Sequence, residues 1–148
     1  NPKILNYKNM ILNAKNPVAI GMRFYDAFPE DAKEHGESSV DYYVSAMDLL
    51  ESKQRALTFF VFSMNIDRAK KELQHYEDRN LIFISPLESM ADAKFDMYLM
   101  SLCNHFIISN STLYWWAAYL GETEHSTVIS PANGFSNNDA PLPHWLQI

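Results

Sequence analysis

The sequence predicts an α/β domain: a parallel β-sheet with helices on both faces. Three observations carry that expectation. Short, continuous apolar runs recur along the chain, namely "VAIGMRF", "ALTFFVFS", "LIFIS", "HFIIS" and "STVIS". They lack polar–apolar alternation, which marks strands covered on both sides, as parallel strands are. Stretches with helical periodicity separate them, and alternating strands and helices are the pattern of a parallel sheet joined by crossover helices. No internal repeat, low-complexity segment or linker interrupts the pattern, so residues 1–148 are read as a single domain.

The elements follow in order. Residues 1–16 mix Leu, Ile and Met with Asn and Lys and predict a helix, which Pro17 stops. Val18 to Phe24 predicts the first strand. "DAFPEDAKEHGESS" is a polar loop with Pro29 and Gly36. Ser38 with Asp41 three residues on has the form of a capping box. The helix it opens places Val40, Tyr43, Val44, Met47 and Leu50 on one face. Ala56 to Ser63 is the second strand, Ile66 to Tyr76 a charged amphipathic helix, and Leu81 to Ser85 the third strand. Ser85, Pro86 and Glu88 are the start signals of a helix that runs through "KFDMYLMSLC". "HFIIS" is the fourth strand, Ser111 to Leu120 the next helix, and Ser126 to Ser130 the last strand. The tail reads as loop, with Trp145 docking back.

Composition narrows the function. The chain carries a net charge of −6 and a pI near 5.2. That argues against a general nucleic-acid binder, which needs a basic face. It leaves room for a nucleotide held by one or two basic groups. Cys103 is the single cysteine, so an internal disulfide and a thiolate zinc cage are excluded. No apolar run reaches the ~18 residues of a membrane span. The chain opens on Asn1 rather than Met and is read as part of a longer protein, cytoplasmic or membrane-associated through other regions.

The densest polar cluster, Ser109-Asn110-Ser111-Thr112, stands where a core strand becomes an apolar helix. Ligands of open α/β sheets bind beyond the carboxyl ends of the strands. The first N–H groups of a helix lack intrahelical partners. Ser111 or Thr112 can cap them, or they can be offered to an anion. Arg23 falls at the end of the first predicted strand, placed to fork two phosphate oxygens or to pair with Asp26. Asp96 stands among Met97, Leu99, Met100 and Cys103, where a carboxylate needs a partner, a wet crevice or a helix start. The five histidines, at 35, 75, 105, 125 and 144, are too dispersed for a metal signature, and Asp-x-Asp is absent. Neither phosphate-binding glycine motif occurs, nor G-x-S-x-G. Trp115 and Trp116 read as core, because the helix around them is apolar on every side.

From about Val18 onward the chain resembles the carboxyl-terminal half of the α-1,2-fucosyltransferase family, glycosyltransferase family 11. "DMYLMSLCNHFIISNSTLYWWAAYL" looks like that family's Asp, Leu-Met-Ser-x-Cys and Asn-Ser-[ST]-[FL]-x-Trp-Trp-x-Ala run. "FFVFSMNIDRAK" looks like its Phe-x-Phe-Ser-Asp-Asp-x-x-Trp stretch, and "VAIGMRFYD" like its His-x-Arg-Arg-x-Asp motif. "VISPANGF" and "LPHW" look like its last strand and tail. The resemblance implies a Rossmann-like domain similar to the carboxyl-terminal domain of a GT-B glycosyltransferase. Its donor substrate would be GDP-fucose, its partner a glycan acceptor, with no cofactor and no metal. Arg23 would contact the diphosphate and Asp96 the guanine. Ser111 and Thr112, with Asn110 beside them, would meet the phosphates, and Asp26 and Ser63 complete the expected donor site.

The chain departs from the family pattern at several positions. The motif histidine becomes Gly21, the second arginine Phe24 and the glycine Tyr25. The paired aspartates become Met64 and Asn65, and the tryptophan Arg68 or Ala69. The expected reaction is fucosyl transfer with inversion, in which Arg23 and the helix start stabilise the leaving diphosphate. Asp26 is expected chiefly to orient Arg23. The alternatives are a transferase using another nucleotide sugar and a non-catalytic module on the same fold.

Overall fold

The computed structural model describes residues 1–26, 29–30, 36–85, 93–132 and 140–148. The expected helix start at Pro86 and Glu88, His35, and parts of the polar loop and of the tail lie outside them.

Six parallel strands form one sheet in the order β3-β2-β1-β4-β5-β6. They are β1 (Asn16–Gly21), β2 (Leu57–Phe62), β3 (Leu81–Phe83), β4 (His105–Ile108), β5 (Val128–Ser130) and β6 (Leu146–Gln147). The helices are α1 (Pro2–Asn13), α2 (Val40–Lys53), α3 (Ile66–Glu72), α4 (Ala93–Ser101) and α5 (Thr112–Gly121), with a 3₁₀ segment over Gln74–Arg79.

Successive strand residues point to opposite faces, and β1 shows the consequence. Ala19 joins Ile11, Leu99, Met100, Tyr114 and Ala117 in a core under α1, α4 and α5. Val18 and Ile20 join Tyr43, Met47, Leu50, Ile66 and Ala69 in a second core under α2 and α3. Both faces are therefore covered, as the unbroken apolar runs require.

Several boundaries differ from expectation. β1 ends at Gly21 rather than Phe24. Met22 still donates to the Phe62 carbonyl at 2.9 Å, but the next backbone N–H groups turn to side chains: Arg23 to Ser109 Oγ and Tyr25 to Glu37 Oε1. Pro17 does not stop a helix; α1 closes at Asn13, and Pro17 lies near the start of β1, where its carbonyl accepts from Asn104 N at 2.8 Å. The cap of α2 is Ser39, whose Oγ accepts from Tyr42 N, one residue beyond the Ser38 expected. The charged helix after β2 breaks at Leu73 into a 3₁₀ turn. Ser126 closes a turn on Thr123, so β5 begins only at Val128. Trp145 docks as expected, 4 % exposed, with its indole N–H on Glu122 Oε2 at 2.6 Å. That anchor delivers β6, which the sequence reading lacks, to the edge of β5. Among the described residues no helix is long and apolar enough to cross a membrane.

Candidate functional site

In sequence order the sheet grows from β1 in one direction through β2 and β3, and from β4 in the other through β5 and β6. The order reverses between β1 and β4, and at such a switch point diverging connections open a crevice beyond the carboxyl ends of the strands. The register places Gly21 level with Phe62 on one side and Ile108 on the other. The chain segments carrying Arg23, Ser63 and Ser109 therefore leave the sheet at the same edge.

Ser109 binds the two strand ends together. It is 1 % exposed; its hydroxyl donates to the Gly21 carbonyl at 2.8 Å and accepts from Arg23 N at 2.9 Å. Arg23 is half-buried, and its guanidinium lies over the ring of Tyr25, 5.2 Å from the centroid. Among the described residues no carboxylate pairs with it. The Tyr25 hydroxyl donates to the Asn110 carbonyl at 3.2 Å, so one side chain joins Arg23 to the turn that opens α5. In that turn Ser111 is the helix cap, its Oγ accepting from Tyr114 N at 3.4 Å, while Thr112 is the exposed first helical residue. Through Tyr25 the structure thus links Arg23 to Asn110, in the turn that continues into Ser111 and Thr112.

Asp96 stands in the first turn of α4, half-buried. Its relation to the site runs through Tyr114, whose hydroxyl lies 3.5 Å from the Met22 carbonyl that accepts from it. Burial pushes that hydroxyl far above its ordinary pKa; the Asp96 carboxylate adds to the rise and the Arg23 guanidinium opposes it.

The expectation that Asp26 orients Arg23 does not hold. Asp26 pairs with Arg68, Oδ1 to Nη1 at 2.7 Å, and accepts from Asn65 Nδ2 at 3.1 Å. Arg68 also forks Glu37, at 3.1 and 2.8 Å, and lies 4.2 Å from the centroid of Phe24. The planar guanidinium suits both a forked carboxylate and a ring face, which is why arginine serves here. Its hydrogen bond to Glu37 holds that carboxyl below its usual range, against the opposing effect of burial. Ser63 is buried at the end of β2, and its Oγ accepts from Asn65 N at 3.1 Å. It shapes the turn in which Asn65 caps α3.

The sequence reading missed Tyr25, Tyr42, Tyr43, Tyr114, Glu37 and Arg68. Tyr42 Oη donates to the Ile108 carbonyl at 2.5 Å, with the Ile129 carbonyl 3.1 Å away. Tyr43 Oη faces Ser38, Ser109 and the Arg23 backbone without closing a hydrogen bond of ordinary geometry. Three of these tyrosines, Tyr25, Tyr42 and Tyr114, therefore place polar tips on backbone carbonyls at or just beyond the strand ends. Their signal in the sequence was faint: tyrosines inside apolar runs, read only as bulk. Of the two tryptophans expected in the core, Trp115 is half-buried and packs against it, while Trp116 is 45 % exposed.

Two open depressions of about 560 and 500 Å³ lie at the opposite edge, beside the amino ends of β1–β4. Neither borders Arg23. Among the described residues no three His, Cys, Asp or Glu side chains gather as metal ligands would.

Comparison with known proteins gives three results. A family model described as Glycosyl transferase family 11 matches residues 8–148. Among curated relatives from Escherichia coli, the O-antigen biosynthesis glycosyltransferase WbnK is 33% identical over 147 residues, covering 96% of this chain and 48% of its own. The alpha-1,2-colitosyltransferase is 31% identical over 153 residues, covering 93% and 49%. The chain therefore spans about half the length of these relatives. The crystal structure of the NodZ alpha-1,6-fucosyltransferase soaked with GDP-fucose superposes with a TM-score of 0.58 at 14% identity, covering 80% of this chain and 40% of that one. That likeness is one of fold.

Proposed function

The chain belongs to glycosyl transferase family 11, and from that premise we propose that it is the donor-binding part of an inverting fucosyltransferase. The donor is GDP-fucose and the acceptor a hydroxyl of a galactoside-type glycan. One observation carries the reading: at the switch point of the sheet, a guanidinium without a carboxylate partner among the described residues lies over Tyr25, whose hydroxyl is bonded to the turn that opens α5. The acceptor oxygen bonds to the anomeric carbon while the bond from that carbon to the β-phosphate oxygen breaks. Negative charge grows on the departing diphosphate. Arg23 and the N–H groups at the start of α5 meet that charge with little reorganisation, and this preorganised electrostatic stabilisation is the catalytic contribution assigned to the chain. Asp96 reads the base of the nucleotide. The charge stabilisation from Arg23 and α5 makes a divalent cation dispensable, so transfer persists in a chelator. The hydroxyl proton passes to a base outside these residues.

Titration of GDP into the full-length protein and its Arg23→Ala variant tests the reading. Loss of a charged hydrogen-bond donor costs about 1.5–3 kcal/mol, or roughly 10- to 150-fold in affinity. Equal affinity removes Arg23 from the site. Ser111→Ala and Thr112→Ala separate cap from cradle: a cap loses about 1 kcal/mol of stability with GDP affinity unchanged. A second reading, transfer from another nucleotide sugar, is favoured by the relative named for colitose transfer, 31% identical to this chain. Competition among GDP, UDP and CMP sugars separates the two.

A further inference from the structure

The geometry around Arg23 raises a question that the donor reading leaves open: what fixes a long, flexible side chain in one place without a carboxylate? Among the described residues, Tyr25 joins two distant segments to its neighbour Arg23. Its backbone N–H donates to Glu37 Oε1 at 2.8 Å, and Glu37 is itself forked by Arg68. Its hydroxyl donates to the Asn110 carbonyl at 3.2 Å, in the turn that opens α5. Its ring carries the Arg23 guanidinium, 5.2 Å from the centroid. Tyr25 is only 6 % exposed and tethered at both ends, so the ring is the fixed member of the pair and the guanidinium settles on it. Asp26, the nearest acid in sequence, is held on Arg68 and Asn65 and so is kept from neutralising Arg23.

We infer that Tyr25 is a positioning residue: its ring carries the Arg23 guanidinium, and its hydroxyl fastens that ring to the start of α5. This rests on the donor-site reading above. A flexible arginine loses rotamer freedom when it closes on a ligand, and a ring that holds it beforehand reduces that loss. Aromatic surface does this without cancelling the charge, which a carboxylate would do.

The test is a double-mutant cycle on GDP affinity in the full-length protein, with melting temperature followed throughout. Tyr25→Leu removes the ring face and is expected to weaken GDP by up to about tenfold, the order of the rotamer freedom that Arg23 then loses on closing. In the Arg23→Ala background the same change is expected to cost nothing further, because the group it positions is gone. Tyr25→Phe keeps the ring and loses only the tether, so most of the affinity returns and the fold is preserved. In the unliganded protein, the Arg23 Nε–H resonance is expected to lose its ring-current shift in Tyr25→Leu and to keep it in Tyr25→Phe. Tyr25→Leu and Arg23→Ala losses that simply add, or an Arg23 resonance indifferent to Tyr25, overturn the inference while GDP binding by the unaltered protein stands. Absence of GDP binding in the unaltered protein overturns the donor reading and this inference with it.

Discussion

Replacing Gly21 by alanine tests the packing that shapes the switch-point edge. A Cβ on Gly21 would lie 2.5 Å from Tyr114 Cγ and 2.6 and 2.9 Å from its two Cδ atoms. Carbon atoms attract best at roughly 3.5–4.0 Å, so the ring must retreat by about 1 Å. It cannot do so alone. The atoms met are the root of the ring, Tyr114 is 2 % exposed, and its hydroxyl points at the Met22 carbonyl. Either the first turn of α5 or the end of β1 has to shift. Overpacking of this kind costs about 1–3 kcal/mol, and a clash with three ring atoms belongs in the upper half of that range. For a domain of this size about 2 kcal/mol lowers the melting temperature by roughly 4–8 °C. Thermal unfolding followed by circular dichroism, on Gly21→Ala, Tyr114→Ala and the double variant, isolates the cause. Tyr114→Ala alone leaves a cavity and costs about 3–5 kcal/mol, as large aromatic truncations do. With the ring gone the methyl has room, so the double variant should be no less stable than Tyr114→Ala. A melting temperature unchanged in Gly21→Ala, or the same Gly21→Ala penalty with and without the ring, refutes the argument.

Two further predictions follow from single contacts. Ser109→Ala removes the acceptor of Arg23 N and the donor to the Gly21 carbonyl in a buried site, so it should lower stability by about 1–3 kcal/mol in chemical denaturation and weaken GDP binding by loosening Arg23. His105 is buried at the amino end of β4, and its Nδ1 accepts from Thr127 N at 3.0 Å, which requires that nitrogen to be unprotonated. Burial depresses its pKa below the ordinary value of 6.5. The unfolded chain therefore binds the proton more readily, and the stability contribution, complete above pH 6.5, is lost as pH falls towards the depressed folded value. His105→Asn keeps an acceptor and should flatten that part of a melting-temperature profile recorded between pH 5 and 8; an unaltered slope counts against the assignment.

What could be read from the residues was local. The buried strands are legible because a two-sided sheet leaves few positions to polar residues. β1 was drawn too long because Met22 and Phe24 continue the apolar run, while what ends the strand is a competing acceptor, Ser109, from far along the chain. The tandem Ser38-Ser39 made the cap of α2 ambiguous by one residue, and only the backbone conformation of Ser39 resolves it. β6 is two residues long and carries no pattern; it is placed by Trp145. An all-apolar helix gives no face, so the exposure of Trp116 was illegible. In the site, Arg23 and the polar cluster were visible because residue type and position at a strand end suffice. The pairing of Asp26 with Arg68, 42 residues away, and the tyrosine contacts were not, because they depend on which strand ends become neighbours.

The departures from the family pattern bear on whether the site still works, and in the structure they are coupled in space. Gly21 leaves the room that the Tyr114 ring fills. Phe24 lies under Arg68, and Tyr25 lies under Arg23. Arg68 could have been a stray charge, but Asp26 and Glu37 satisfy it. The exchanges at 21, 24, 25 and 68 thus each have a neighbour that accommodates them, while Met64 is simply exposed. The contacts given up, at positions 21 and 24, are polar ones, while the guanidinium at 23 and the helix start that would meet a diphosphate are both kept. That division favours a working phosphate site over its loss. A working site predicts that GDP binds the unaltered protein and that Arg23→Ala weakens it roughly 10- to 150-fold. A module that has lost the site predicts that GDP, UDP and CMP sugars all fail to bind, and Arg23→Ala then changes nothing.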